Sequence, residues 1–253
     1  AWANEAPCRG LKPDNGNWER PYPGEEVAIA GFLDKLNWPS KNRYVILYNE
    51  PNHGTEWGGT VDPEGFAQAT NRTIDALRQK SEDFFILNAG FDASAPNKPP
   101  GFMDEEEFIK QMEAAVPGIF NKFDGWASHS YPNPGFAGKP GEAGKGTVRT
   151  FEWELQFLAQ LGVKKNLPAF ITETGWKHSD GMQENSKFPT PETISGYFRE
   201  AFLRAWSNPR VVAVTPFLLN YQEAPFDQFS FKKIEKNLSE TEKIERPYHS
   251  FFY

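Results

Sequence analysis

Short apolar runs alternate along this chain with longer stretches whose apolar residues fall on helical spacing. Tyr44-Val45-Ile46-Leu47-Tyr48 is apolar without alternation and ends abruptly in Asn49-Glu50-Pro51-Asn52. Such a run predicts a strand buried on both faces, as in a parallel sheet. Pro51 has no N–H to extend a ladder, so the strand is expected to stop near Glu50. The plan returns in Phe84–Leu87 before Asn88-Ala89-Gly90, in Phe123–Tyr131, in Pro168–Glu173 and in Val211–Leu219.

Helical patterns separate these runs. Glu25–Leu36 sets Val27, Ala30, Phe32, Leu33 and Leu36 on helical spacing, and Pro39 closes it. Asp62-Pro63 opens a helix to about Lys80, with Asp62 as N-cap and Pro63 in the first helical position. Further helices are expected over Asp104–Ala115, Thr147–Leu161 and Thr190–Ser207. Strands alternating with helices imply an α/β fold with a parallel sheet under helical cover. Strand ends near residues 50, 89, 129, 173 and 217 recur about every 40 residues. Eight such units would need roughly 320 residues, inside the range of a (β/α)8 barrel, and this chain has 253. Five βα units are therefore expected, forming one partial or truncated barrel domain over 1–253. Its open sheet edge invites a second copy or a complementing chain, unless residues 1–24 or the C-terminal tail cover it.

Composition narrows the function. The formal charge is −7 with both signs interspersed and no basic stripe, which argues against nucleic acid as a partner. No apolar run approaches the roughly 20 residues of a membrane helix, so no membrane partner is expected. Cys8 is the single cysteine, which excludes an internal disulfide and a cysteine-based zinc site. Aromatic residues reach 15%, with 22 Phe and 8 Trp. Most of these rings belong in a core, but exposed ones suit the C–H faces of sugars.

Two carboxylates occupy equivalent places. Glu50 and Glu173 each end a buried strand, where parallel α/β folds put their chemistry. A facing pair there suits glycoside hydrolysis, one group protonating the leaving oxygen and the other attacking the anomeric carbon. The plainer account makes each a helix cap or the partner of an arginine.

Asn49-Glu50-Pro51, followed much later by Thr172-Glu173-Thr174-Gly175-Trp176, resembles clan A of the retaining glycoside hydrolases. The resemblance covers about residues 25–231 and makes the visible strands numbers four to eight of a TIM barrel. It implies Glu50 as acid/base, Glu173 as nucleophile and a β-linked carbohydrate as substrate, with no cofactor and no metal. It further implies that Asn49 binds the 2-hydroxyl, that the Tyr131 hydroxyl supports the nucleophile and that His129 orients the site. Trp57 and Trp176, on the loops after the two strands, become candidate sugar platforms, with burial in the core as the alternative. The clan usually carries a Trp at the end of its eighth strand; here Thr215–Tyr221 has none, which leaves Phe217 or Tyr221 as the replacement. The compartment stays open, and only the substrate class favours a secreted or periplasmic protein.

Rival readings are a non-catalytic carbohydrate-binding protein and a barrel fragment that assembles with a partner. A metal site at Glu50-x-x-His53 would need both residues on one helical face, which Pro51 precludes. His178 and Asp180 read as residues of a solvated loop.

Overall fold

The computed structural model describes residues 16–233 and 246–247. Parallel strands and helices alternate in an α/β fold. Arg43–Ile46 (β1) pairs in parallel with Phe84–Leu87 (β2), Arg43 opposite Phe84 and Ile46 opposite Leu87. A parallel bridge from Leu87 to Gly125 joins β2 to the chain entering the next strand. Trp126–His129 (β3), Ala169–Thr174 (β4) and Val211–Pro216 (β5) form a further sheet in that order. Strand order thus follows sequence order, as the alternation of runs predicts. Lys232–Lys233 adds a short antiparallel pairing with Arg246–Pro247.

The helices are Glu25–Asp34 (α1), Pro63–Lys80 (α2), Glu105–Ala115 (α3), Thr150–Gln160 (α4) and Pro191–Leu203 (α5). Their starts follow local chemistry. Asp62 accepts from the Gly65 N–H at 2.9 Å, and Pro63 fills a first-turn position that has no intrahelical donor to lose. Asp104 caps α3 through the Glu106 and Glu107 N–H groups, and Thr190 caps α5 through that of Thr193. Phe66, Ile74 and Leu77 make the buried stripe of α2, each burial worth about 1.5–3 kcal/mol. Among the described residues no helix is long and apolar enough to cross a membrane.

The described chain divides into two compact units. One holds the described residues up to Ser128 together with Glu154–Phe170; the other holds His129–Trp153 and the described residues from Ile171 onward. In the first, a relay of rings runs from Trp57 through Phe66, Phe108 and Phe91 to Trp126, with centroids 4.9 to 6.2 Å apart. Gly125 lets β2 and the entry to β3 approach: a Cβ there would lie 2.7 Å from Leu87 Cδ2. Asn88 then substitutes for a ladder residue, accepting from Ala127 N–H at 2.7 Å and donating to its carbonyl at 3.0 Å. In the second unit Trp176, Phe198 and Trp206 pack as a cluster, with Trp206 Nε1 donating to the Val148 carbonyl.

Three expectations change. β1 is buried on one face only: Val45 and Leu47 are covered, whereas Tyr44 and Ile46 are 47% and 41% exposed. The run lacks alternation in hydropathy because both of its faces carry apolar residues, although only one is covered. Likewise α1 forms but turns Val27 and Phe32 outward, five residues apart and on different faces, and Leu36 beyond its end is exposed as well. Ala30 anchors it, with the ion pair of Glu26 and Arg72 at 3.0 Å. Finally, residues 16–24 pack on the loop after β1, not on its edge, through Trp18 N–H to Thr55 and Arg20 to Thr60 and Asp62. Coverage of the edge by residues 1–15 or by most of the C-terminal tail lies outside the described residues.

Asp62 both caps α2 and pairs with Arg20 at 2.6 Å. Replacing it by Ala is expected to lower stability by about 1–2 kcal/mol, most of it the cap. Asp62→Asn keeps a capping oxygen and is expected to cost less. Urea unfolding midpoints measure both.

Candidate functional site

In the first unit the chain leaves β1 through a tight polar turn. Tyr48 takes a left-handed conformation, φ 69°, which sends its ring into the core beside Trp57 and Phe66. Its hydroxyl bonds to Thr73 Oγ1 at 3.0 Å. Burial pushes the phenol up to about 12, so Tyr48 serves as an anchor and not as an acid. Glu50 also has a positive φ, 33°, uncommon for a residue with a side chain. Its N–H donates to the Gly90 carbonyl at 3.0 Å, and its carbonyl accepts from the His53 N–H at 2.9 Å. Asn49 reaches Glu56 Oε2 at 3.5 Å.

Asn52 holds this turn in place. Wholly buried, it donates to the carbonyls of Asp92 and Met103 at 2.9 and 3.2 Å and accepts from the Asp92 N–H at 3.2 Å. The loop after β2 is thereby fixed against the Glu50 turn. Asp92 receives His53 Nε2 at 2.8 Å. Burial by itself would push the His53 imidazolium down. The Asp92 hydrogen bond and the charges of Glu50, Asp92 and Glu56 outweigh it, and His53 lies above its ordinary value.

In the second unit Glu173, half-buried near the end of β4, accepts a hydrogen bond from the Tyr131 hydroxyl at 3.0 Å on Oε2. His129 Nδ1 lies 3.7 Å from the same oxygen and is almost fully covered. The strands are locked side by side: Thr174 Oγ1 donates to the Ser130 carbonyl at 2.7 Å, and Phe217 N–H to the Thr174 carbonyl at 2.7 Å. Gly175 is demanded by that closeness, since a Cβ there would sit 2.5 Å from the Phe217 carbonyl oxygen. The Phe217-Leu218 peptide at the end of β5 is cis. Around Tyr131 stand Phe136, Phe217 and Phe229, at centroid distances of 5.1, 6.4 and 6.1 Å. Lys177 extends its ammonium over Phe136 and Phe229.

Of the residues expected from the sequence, Asn49 and Glu50 come together in one unit, and His129, Tyr131, Glu173 and Phe217 in the other. Tyr221 is exposed and packs on Phe226, which in turn touches Phe217. The two tryptophans are not sugar platforms. Trp57 is 2% exposed, wedged edge-on against Tyr48 and Phe66; Trp176 is 1% exposed, on Phe198, with its indole N–H donating to the Gly138 carbonyl at 2.7 Å. Each sits in a loop, yet its ring packs against the helix that follows, Trp57 on Phe66 of α2 and Trp176 on Phe198 of α5. Phe136, Phe229, Asp92 and Phe102 are not legible in the sequence: Asp92 meets a distant His53, and even Phe136, close to Tyr131 in the chain, belongs to no local motif.

No protein-family model matches the chain, and no curated protein matches it in sequence. Solved structures do resemble it. An endo-β-1,3-glucanase of family GH128 (subgroup II) from Sorangium cellulosum aligns over 94% of this chain and 81% of its own, at 14% identity and TM-score 0.53. A monomeric β-xylosidase from Caulobacter crescentus aligns over 93% of this chain at 16% identity and TM-score 0.56. This chain spans 46% of that enzyme's length. A triple mutant of an endo-β-1,4-glucanase from Xanthomonas axonopodis pv. citri aligns over 90% of this chain and 64% of its own, at 15% identity and TM-score 0.50. At these identities the likeness is one of fold, the α/β arrangement of TIM-barrel type.

Because His53 is raised, its contribution to stability is complete below the unfolded value near 6.5 and is lost as pH rises through the folded one. Asp92→Asn is expected to move the His53 titration downward and to remove that alkaline loss. NMR titration and pH-dependent urea melts check the two halves.

Proposed function

We propose that the chain is a glycoside hydrolase that cleaves a β-linked glycan with retention of configuration. The observation that carries this reading is the Tyr131 hydroxyl donating to Glu173 Oε2 at 3.0 Å. A hydrogen bond of this kind fixes one oxygen while the other is left to react. The TIM-barrel glycosidase fold and the placing of Asn49-Glu50 after β1 support the same reading.

The reaction takes two displacements. Glu173 attacks the anomeric carbon as the protonated Glu50 gives its proton to the bridging oxygen, so that the glycosidic C–O bond breaks and a glycosyl ester forms on Glu173. Water then attacks the same carbon, Glu50 takes the water's proton, and Glu173 leaves as a carboxylate. Two inversions restore the original configuration, which requires carboxyl groups about 5–5.5 Å apart. Asn49 donates to the sugar 2-hydroxyl, His129 orients the nucleophile, and Phe217 or Tyr221 replaces the tryptophan floor of the clan. The glucanases and the xylosidase that share the fold make β-1,3-glucan, β-1,4-glucan and β-xylosides the first substrates to try.

Glu173→Ala is expected to abolish turnover. Glu50→Ala should slow poorly activated substrates by about 100- to 10,000-fold and spare aryl glycosides whose leaving group needs no proton. The first-formed product, followed by NMR, is expected to keep the β configuration; an α product, or equal loss on both substrate types in Glu50→Ala, overturns the reading. Sugar binding without cleavage in the wild-type protein would make it a carbohydrate-binding protein instead.

A further inference from the structure

Phe102 is out of keeping with the rings around it. The phenylalanines that line the first unit's ring relay are buried, whereas Phe102 is 39% exposed. Its edge is nonetheless held firmly. Phe102 and Lys98 exchange backbone hydrogen bonds at 3.0 and 3.1 Å, Gly54 N–H donates to the Gly101 carbonyl at 2.7 Å, and Met103 N–H to that of Asn52 at 3.0 Å. Phe102 also bridges antiparallel to His53, and the two rings meet edge-on with centroids 4.9 Å apart. Packing against His53 covers one edge of the phenyl, and part of the ring stays exposed on a rigid mount.

His53 and Asp92 stand next to that ring. Their 2.8 Å contact occupies His53 Nε2 and Asp92 Oδ2, while Asp92 Oδ1 accepts from the Ser94 N–H at 2.8 Å. In the imidazolium form Nδ1–H remains a donor, and both side chains are partly solvent-accessible. Three residues separate His53 from Glu50, and the His53 N–H is bonded to the Glu50 carbonyl. An outward aromatic ring beside a charged, hydrogen-bonding pair is the combination a sugar ring requires: an apolar face to stack on and polar groups for its hydroxyls. Rigid mounting lowers the ordering cost of binding.

We propose that His53, Asp92 and Phe102 form the subsite for the departing sugar, and so determine which residue is accepted on the reducing side of the cleaved bond. This rests on the retaining-hydrolase reading, in which the group protonated by Glu50 must lie beside Glu50. The three residues position and select substrate; they take no part in bond making.

Phe102→Ala and His53→Gln test this on two substrates. One is the β-oligosaccharide that the wild-type protein cleaves; the other is the β-fluoride of the same sugar, whose leaving group fills no sugar subsite. The ratio of kcat/KM for oligosaccharide over fluoride is expected to fall about tenfold in each variant, chiefly through KM. An unchanged ratio in variants that remain folded by circular dichroism overturns the subsite while leaving the hydrolase reading intact. If the wild-type protein cleaves nothing, calorimetry with β-1,3-gluco-, β-1,4-gluco- and β-1,4-xylo-oligosaccharides decides. Binding that Phe102→Ala weakens about tenfold makes these residues a sugar site but overturns the hydrolase and with it the departing-sugar role; no binding, or binding that the variant leaves unaltered, overturns the sugar site itself.

Discussion

Removing a side-chain amide from water costs about 2–7 kcal/mol unless its hydrogen bonds are replaced. Asn52, wholly buried, replaces three of them with backbone groups of Asp92 and Met103. That requirement ties together segments some 40 and 50 residues apart in the chain. It fixes the turn after β1, and with it the direction in which Glu50 leaves the strand. It also brings Asp92 to His53 and sets the loop that carries Phe102. Much of the chemistry read into the first unit therefore depends on one uncharged side chain that touches no substrate.

The second unit reaches the same end through backbone closeness. Ser130, Thr174 and Phe217 are joined by a hydroxyl-to-carbonyl and an amide-to-carbonyl bond, both 2.7 Å. Tyr131 and Glu173 are neighbours of those tied residues, so their 3.0 Å contact is set by the strands before any substrate arrives. Preorganisation of this kind is what electrostatic catalysis needs, because dipoles already in place cost nothing to reorient during reaction. His178, on the loop after β4, contributes in a different way. Burial holds it below its ordinary value, with the Ser230 carbonyl contact at 2.9 Å offsetting only part of that.

What could be read from the sequence is what depends on near neighbours. Asp62-Pro63, Asp104 and Thr190-Pro191 start helices because a cap satisfies donors only two or three residues away. Glu50 and Glu173 could be placed at strand ends because proline, glycine and polar residues follow directly. Which side of an element is covered could not be read, since that is decided by distant chain. Tyr44 and Ile46 look as buried as Val45 in the sequence, and Trp57 and Trp176 look like loop aromatics until their rings are seen packed on Phe66 and Phe198. The His53–Asp92 pair spans 39 positions and has no motif. The high aromatic content is explained by the ring relays of the two cores more than by a sugar-lined surface.

Gly175 shows how unevenly such a site is open to evolution. The atom nearest to any side chain at this position would be a backbone carbonyl oxygen, which cannot swing aside as a side chain can. A mutation there must shift β5 itself, and Phe217 with it, before selection can act on anything else. Tyr221, exposed four residues beyond Phe217, carries no such constraint. Descendants of this chain can therefore vary the loop after β5 while the geometry around Glu173 is inherited unaltered.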